Sequence, residues 1–217
     1  MSEKNVKICA SHAGLTLGED GATHQILEDI GMMKMLPGMT VIVPADYNQT
    51  KAATKAIANH WGPVYLRFGR PVWPIFTKEE DFVIGKAQQL SEGTDVSIFA
   101  CGHMVWHAVQ AGLQLQEKGI SAEVINIHTI KPLDKDAIIR SVAKTGCAVC
   151  CEEHNIIGGL GESIAGVLAT LLPAPLEMVG VRDSFGESGK PVELLKKYGL
   201  MPEDIVAAAE RAISRKK

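Results

Sequence analysis

The feature that most constrains the fold is an alternation of short apolar runs with longer stretches of helical periodicity. Residues 6–10, 40–44 and 96–101 have the length and composition of buried strands, and a helical pattern follows each of them. This order is typical of α/β proteins with a mostly parallel sheet. The length of 217 residues allows one large domain or two small ones.

Residues 71–85 interrupt the alternation, because Pro71 and Pro74 fall among them and a charged stretch follows at 78–81. We predict a linker here, between a first unit of residues 1–70 and a second unit of residues 86–217. The second unit has the elements of a complete Rossmann-like three-layer domain. The first has too few strands and helices to cover both faces of a parallel sheet. We therefore expect it to be the back part of a domain, with an exposed edge strand at 6–10 that favours pairing with another chain.

The bulk composition excludes several classes of partner. A net charge of −3 argues against nucleic acid or an anionic membrane surface, and no apolar run reaches the roughly 18 residues that a membrane span needs. The first residues lack the apolar core of a signal peptide. The five cysteines all lie in or beside apolar, strand-like runs: Cys9, Cys101, Cys147, Cys150 and Cys151. This pattern predicts reduced, buried thiols in a cytoplasmic protein.

Three chemically versatile side chains, His12, Asp20 and His24, lie on one loop between a strand and a helix. Open parallel sheets build their ligand sites at the carboxyl ends of strands. Two imidazoles and a carboxylate can exchange hydrogen bonds and protons with sugar hydroxyls near neutral pH. Gly18 and Gly21 permit the tight backbone that such a loop requires. On spacing alone, these three residues could equally be ordinary loop, cap and turn residues.

A family resemblance favours the first of these interpretations. The segment HAGLTLGEDGATHQILEDI, which begins at residue 12, resembles the substrate-channel loop of transketolases, and the later segments LPGMTVIVPAD and GPVYLRFGRP extend the match. INIHTIKPLD, EEHNIIGGLGE and DSFGESG resemble pieces of the C-terminal domain of the same family. Deoxyxylulose-phosphate synthases and E1-type dehydrogenase β subunits share this architecture, but the GEDG motif favours transketolase. The resemblance implies a partial thiamine-diphosphate pyrimidine-type domain followed by a complete C-terminal domain.

The resemblance also assigns roles to residues. It implies that His12, Asp20 and His24 line the substrate channel, bind the ketose hydroxyls and assist proton transfer. An arginine near the end of the third strand would bind the sugar phosphate, and Arg70 is the preferred match. A guanidinium suits a phosphate because it can donate two charge-assisted bonds at once. Arg67 is the competing match, and either arginine could instead form a surface ion pair.

The resemblance implies thiamine diphosphate and Mg²⁺ as cofactors, bound mainly by segments absent from this chain. In the family, the glutamate that activates the cofactor precedes the loop that begins here at His12. We therefore expect a C-terminal transketolase subunit or fragment that contributes to two-carbon ketol transfer between sugar phosphates and is inactive alone. The expected partners are a pyrophosphate-domain (N-terminal) transketolase subunit and further copies of the chain. The alternatives are a non-catalytic oligomerisation or regulatory module, or a piece of a deoxyxylulose-phosphate synthase.

Other suggestive patterns carry less weight. His103 and His107 share one helical face, and we interpret them as helix-surface residues. Cys147 and Cys150 would point to opposite faces of a strand, so no metal site is expected on them. The glycine-rich segment 152–162 is interpreted as a packing and interface loop.

Overall fold

The computed structural model describes residues 4–216, which form nine strands and seven helices. The strands are β1 (Lys7–Ala10), β2 (Thr40–Ile42), β3 (Val64–Arg67), β4 (Gln88–Ser91), β5 (Val96–Ala100), β6 (Ala122–Asn126), β7 (Thr129–Lys131), β8 (Ala148–Asn155) and β9 (Leu176–Val181). The helices are α1 (Asp29–Met35), α2 (Tyr47–Ala58), α3 (Met104–Glu117), α4 (Lys135–Thr145), α5 (Leu160–Leu171), α6 (Pro191–Lys197) and α7 (Pro202–Ser214). Short 3₁₀ turns lie at Leu15–Leu17 and Glu79–Asp81. No helix in this part of the chain is long and apolar enough to cross a membrane.

The first sheet has the strand order β1-β3-β2-β7. The pairs β1–β3 and β2–β3 are parallel, whereas β7 joins β2 in antiparallel orientation from much later in the chain. As predicted, β1 is an edge strand, and both Ile8 and Cys9 are exposed. The expectation that all five thiols are buried is therefore wrong for Cys9, because an edge strand leaves its outer face uncovered. The other four thiols are buried, and all five are free.

The second sheet has the order β4-β6-β5-β8-β9, and all its pairs are parallel except β4–β6. The predicted α/β fold with mostly parallel sheets is confirmed. Sequence periodicity did not reveal β4 and β7. β4 contains three polar residues out of four, and β7 has only three residues, too few for a periodic signal.

Helix α1 begins at Asp29, although apolar residues at helical spacing already begin at Ile26, three residues earlier. The carbonyl of Ile26 accepts a bond from the amide of Gly14, and the carbonyl of Leu27 accepts one from the amide of Asn155. These acceptors would otherwise bond to the first turns of a helix. Tertiary hydrogen bonds thus keep this stretch out of the helix.

The predicted linker segment is attached to the first sheet through Asp46. The Asp46 carboxylate caps α2 by accepting from the amide of Gln49, and it also accepts from the amides of Phe76 and Thr77. Asp46 and Gln49 have the spacing of a capping box, but the box forms only in part, because the Gln49 side chain accepts from the amide of Ala45 and not from that of Asp46. The division into residues 1–70, 71–85 and 86–217 stays a prediction.

The two sheets share a core. One buried cluster combines Val41 and Tyr65 of the first sheet with Phe99 and Ile125 of the second. The carboxyl end of β8 runs into this junction and reaches the loop that follows β1. The junction therefore brings residues more than a hundred positions apart in sequence beside the predicted site.

Candidate functional site

The predicted site residues lie on two neighbouring segments at one edge of the first sheet. The His12 loop (residues 11–28) follows β1, and Arg70 lies three residues beyond the end of β3. Because β1 and β3 are adjacent and parallel, their carboxyl ends meet at this edge. The side chains of His12, Asp20, His24 and Arg70 are all exposed.

The structure brings Asp20 and Arg70 into contact. Arg70 Nη1 donates to Asp20 Oδ2 at 3.0 Å and to the carbonyl of Leu17 at 3.2 Å. Both side chains are about half exposed, so this ion pair contributes little to stability. An incoming anion could replace Asp20 at Arg70 with little loss of protein stability.

The two histidines are less closely placed. His12 Nδ1 lies 2.8 Å from Ser11 Oγ, and His24 Nδ1 lies 2.9 Å from Thr23 Oγ1. Within residues 4–216, neither imidazole has a hydrogen bond to Asp20 or Arg70. His12 adopts a left-handed backbone conformation with φ of 67°, a strained geometry that is frequent at functional sites. The catalytic roles of His12, Asp20 and His24 stay predictions, as does the phosphate-binding role of Arg70.

Arg67, the competing candidate for phosphate binding, is excluded by its burial. Its side chain is 4% exposed, and Nε donates to Asp29 Oδ2 at 2.8 Å. Arg67 Nη2 donates to the carbonyl of Glu153 at 3.0 Å, and Tyr65 Oη donates to the same Asp29 oxygen at 2.7 Å. Burial alone would raise the pKa of Asp29, but the nearby Arg67 outweighs it and lowers that pKa. Arg67 is therefore a buried structural ion-pair residue, and the expectation of a surface ion pair is wrong for it.

The C-terminal part of the chain supports the His12 loop. Gln25 Nε2 donates to the carbonyls of Leu15, Gly18 and Glu187, at 3.1, 3.3 and 3.0 Å. Ser188 Oγ donates to the carbonyl of Glu19 at 2.5 Å. The DSFGESG segment therefore holds the loop in place. The sequence analysis matched this segment to the family's C-terminal domain but did not reveal which part of the chain it contacts.

Segment 152–162 begins with a buried acidic pair. Glu152 accepts from the amides of Leu160 and Gly161 at the start of α5, at 2.7 and 2.8 Å. Burial raises the pKa of Glu152 to about 7, although these two amides and nearby cations oppose the shift. Glu153 is also buried and accepts from the amide of Thr16 in the His12 loop. The predicted role of this segment at an interface stays a prediction, and the sequence interpretation missed its contact with the His12 loop.

His103 and His107 are not surface residues, contrary to the sequence interpretation. Trp73 covers them, with ring centroids 4.5 Å from His103 and 5.6 Å from His107. Burial, together with the charges of Arg67 and His107, lowers the pKa of His103 to about 4, so its ring is neutral at neutral pH. The prediction failed because Trp73 belongs to the irregular segment 71–85, whose packing position has no periodic signal.

Beside Arg70 lies an open cleft of about 530 Å³. Its lining is mostly apolar and includes Tyr47, Phe68, Val72 and Trp73, with His103 at its floor. Such a cleft can hold a small organic molecule while Arg70 binds an anionic end of it. Within residues 4–216, no three His, Cys, Asp or Glu side chains are placed so that they could hold a metal ion.

The chain is similar to known proteins in both sequence and structure. The family model "Transketolase, pyrimidine binding domain" matches residues 1–74, and "Transketolase, C-terminal domain" matches residues 85–205. A 6-deoxy-6-sulfo-D-fructose transketolase subunit from Clostridium sp. (strain MSTE9) is 46% identical over 98% of this chain and 66% of its own length. A putative transketolase C-terminal section from Methanocaldococcus jannaschii is 47% identical over 93% of this chain and 64% of its own length.

Among solved structures, one described as "Split gene transketolase, inactive beta4 tetramer" superposes with a TM-score of 0.93 at 44% identity. That match covers 99% of this chain and 69% of the solved chain. The present chain thus spans about two thirds of the length of the relatives it matches.

Proposed function

The chain belongs to the transketolase family, and from this premise we propose that it is one subunit of a split transketolase. It contributes substrate-channel residues to the transfer of a two-carbon ketol unit between sugar phosphates. The observation that carries the proposal is the contact between Asp20 and Arg70 at the joined carboxyl ends of β1 and β3. Two relatives whose names describe a transketolase subunit and a C-terminal section support it.

In this proposal, Arg70 binds the phosphate end of the sugar. The phosphate takes the place of Asp20 at the guanidinium, where it can accept two charge-assisted bonds. Asp20, released from its ion pair, is then free to accept a bond from a sugar hydroxyl. The exposed imidazoles of His12 and His24 bind further hydroxyls and accept or return a proton at a ring nitrogen.

The cofactor is a separate part of the proposal. Membership of the family implies dependence on thiamine diphosphate, which supplies an electron sink for carbon–carbon bond cleavage. Within the described residues, no three His, Cys, Asp or Glu side chains come together so that they could hold a metal ion, and this chain alone therefore does not supply a full set of such ligands for Mg²⁺. We propose that a pyrophosphate-domain (N-terminal) transketolase subunit holds most of the thiamine diphosphate and the Mg²⁺.

The test is reconstitution. The purified chain is mixed with a pyrophosphate-domain subunit, thiamine diphosphate, Mg²⁺ and pairs of sugar phosphates, and ketol transfer is followed by product analysis. Transfer that requires both proteins is the expected result. Turnover by this chain alone would contradict the need for a partner. If no mixture transferred a ketol unit while both proteins remained folded, the proposed function would be wrong.

A second candidate function is non-catalytic assembly. The exposed edge strand β1 favours pairing with another chain, and one similar solved structure is described as an inactive β₄ tetramer. In either case we propose that the chain forms homo-oligomers. Light scattering measures the mass: an oligomer that gains activity with the partner favours the enzyme subunit, and an oligomer that stays inactive favours assembly alone. A monomer at every concentration would contradict homo-oligomerisation.

A further inference from the structure

The Glu153 carboxylate is buried at the junction of the two sheets, directly beneath the His12 loop. Its Oε1 accepts from the amide of Thr16 at 2.5 Å. Gly14 lies so close that a β-carbon there would overlap the carboxylate, and its φ of 89° also favours glycine. The 3₁₀ turn at Leu15–Leu17 therefore rests on Glu153.

The same carboxylate lies beside a second contact that leads to Arg70. Glu153 Oε2 is 3.7 Å from His103 Nδ1, which is itself 3.4 Å from Thr16 Oγ1. The His103 ring packs against the backbone of Gly69, where an added β-carbon would overlap the ring. Gly69 immediately precedes Arg70. The path of the chain into Arg70 therefore depends on the position of His103.

Trp73 completes this arrangement on the other side of Arg70 in sequence. Its ring stacks on His103 at an interplanar angle of 10°, and its Nε1 donates to the carbonyl of His103 at 3.1 Å. Residues on both sides of Arg70 are thus held against one imidazole. Asp20 follows the turn that rests on Glu153, and Arg70 follows the glycine that rests on His103.

From these contacts we infer that Glu153 and His103 are positioning residues that set the separation of Asp20 and Arg70, and thereby the sugar-phosphate subsite. This inference rests on the proposed function of that subsite. It gives the second sheet a role in substrate binding, because Glu153 lies on β8 and His103 precedes α3. Neither side chain needs to touch the substrate for this role.

The burial of these groups suits a positioning role. A buried carboxylate is tolerated when charges and donors compensate it, and here Arg67 and the Thr16 amide oppose the rise in the pKa of Glu153 that burial causes. His103 is neutral at neutral pH, so it acts through packing and hydrogen bonding. Removal of either side chain should loosen the loop or the Arg70 segment, while the four residues that the proposed function assigns to the sugar phosphate are all retained.

The first test is amide hydrogen exchange on the full chain, read by mass spectrometry over residues 12–25 and 68–75. Because Glu153→Gln removes a charged acceptor, exchange in residues 12–25 should rise by about tenfold or more. The matched control is Glu123→Gln, since Glu123 on β6 is equally buried but bonds to Ser141 and Lys144 of helix α4. The control should leave exchange in both segments unchanged. Equal effects of the two variants, or no effect of Glu153→Gln, would overturn the inference.

The second test separates ring packing from general destabilisation at His103. His103→Phe keeps an aromatic ring beneath Gly69, whereas His103→Ala removes it. Exchange over residues 68–75 should rise by about tenfold in the alanine variant and much less in the phenylalanine variant. If both variants protected this segment as well as the native chain, His103 would have no positioning role.

The third test uses the assembled enzyme. Glu153→Gln and His103→Ala should raise KM for the sugar phosphate by about tenfold and change kcat less, because they displace binding groups. Glu123→Gln should leave the ratio of kcat to KM at the native value. A fall in kcat alone would contradict the inference. If the native assembly transferred no ketol unit, the proposed function would fail, and the exchange measurements would still decide whether Glu153 and His103 hold the two segments.

Discussion

At the scale of single residues, two arginines three positions apart serve different purposes. Arg67 points into the protein and pairs with Asp29, whereas Arg70 reaches the surface and pairs with Asp20. Arg67 lies within β3, whose residues are all buried, and Arg70 lies beyond the strand end. The position relative to the strand, and not the residue type, decides which arginine is available to a ligand.

Replacement of Arg70 should therefore affect binding and not folding. We expect Arg70→Met to lower kcat/KM of the assembled enzyme for phosphorylated sugars by about tenfold or more, since charge-assisted bonds are lost. The midpoint of urea unfolding should change by an amount equivalent to less than about 1 kcal/mol. Arg140→Met, at an exposed arginine on α4, is the control and should change neither quantity. An unchanged kcat/KM in Arg70→Met would remove Arg70 from the proposed site.

Replacement of Arg67 should have the opposite outcome. Arg67→Met leaves the buried Asp29 carboxylate without its cation, which we expect to lower the free energy of unfolding by about 3–5 kcal/mol. The matched control is Arg211→Met, because Arg211 pairs with Glu177 at the surface, and it should cost about 0–1 kcal/mol. Urea denaturation followed by circular dichroism measures both values. Equal losses in the two variants would show that burial of the Arg67–Asp29 pair has no special weight.

At the scale of secondary structure elements, two aspartates do more than cap helices. Asp46 caps the start of α2 and also accepts hydrogen bonds from the amides of residues 76 and 77. Asp134 caps the start of α4 and also accepts a hydrogen bond from the amide of Ala87. Each capping carboxylate therefore fixes an irregular segment. The wall of the cleft beside Arg70, which segment 71–85 provides in part, depends on the Asp46 cap.

We expect Asp46→Ala to lower the free energy of unfolding by about 2 kcal/mol or more, because it removes both the cap and the bonds to Phe76 and Thr77. Asp134→Ala, with fewer bonds to lose, should cost about 1 kcal/mol. Limited proteolysis should also cut within residues 71–85 faster in Asp46→Ala than in Asp134→Ala. Equal cleavage in the two variants would show that Asp46 does not hold this segment.

At the scale of the whole molecule, burial of imidazoles links folding to pH. Burial is the largest cause that lowers the pKa of His103, His128 and His154, in each case from 6.5 to about 4. Between pH 4 and pH 6.5, the unfolded chain binds more protons at these histidines than the folded chain does. The three neutral imidazoles therefore contribute stability at neutral pH that is lost as the pH falls. Glu152, with its pKa raised from 4.5 to about 7, acts in the opposite direction. Glu153, whose pKa burial also raises, acts in the same direction as Glu152, and the three imidazoles outweigh these two carboxyl groups over this range.

The free energy of unfolding should therefore decrease as the pH is lowered from 6.5 to 4, as measured by urea unfolding at each pH. His128→Gln removes one of the three imidazoles. It should therefore reduce the slope of unfolding free energy against pH by an amount equivalent to the uptake of about one proton. A stability that is constant or rises on acidification over this range would contradict the burial of neutral imidazoles. An unchanged slope in His128→Gln would exclude His128 as a contributor.

The whole molecule also defines what could be predicted. Strands β1, β2 and β5 and the helices that follow β2 and β5 were predicted from apolar runs and helical periodicity, since these depend on residues close in sequence. The pairing of β7 with β2 did not follow, because it joins residues about ninety positions apart in sequence. The later start of α1 has a similar cause. The amides of Gly14 and Asn155 bond to the carbonyls of Ile26 and Leu27, which precede the helix.

By itself, the sequence determined the α/β class, the family resemblance and the loop that bears His12, Asp20 and His24. These depend on local order, which a chain carries in any conformation. Only the tertiary structure decided that Arg70 rather than Arg67 reaches the surface, that Trp73 buries His103, and that Glu153 supports the loop. Burial and the electrostatics that follow from it are set by contacts between distant segments, and these contacts exist only once the two sheets have packed together.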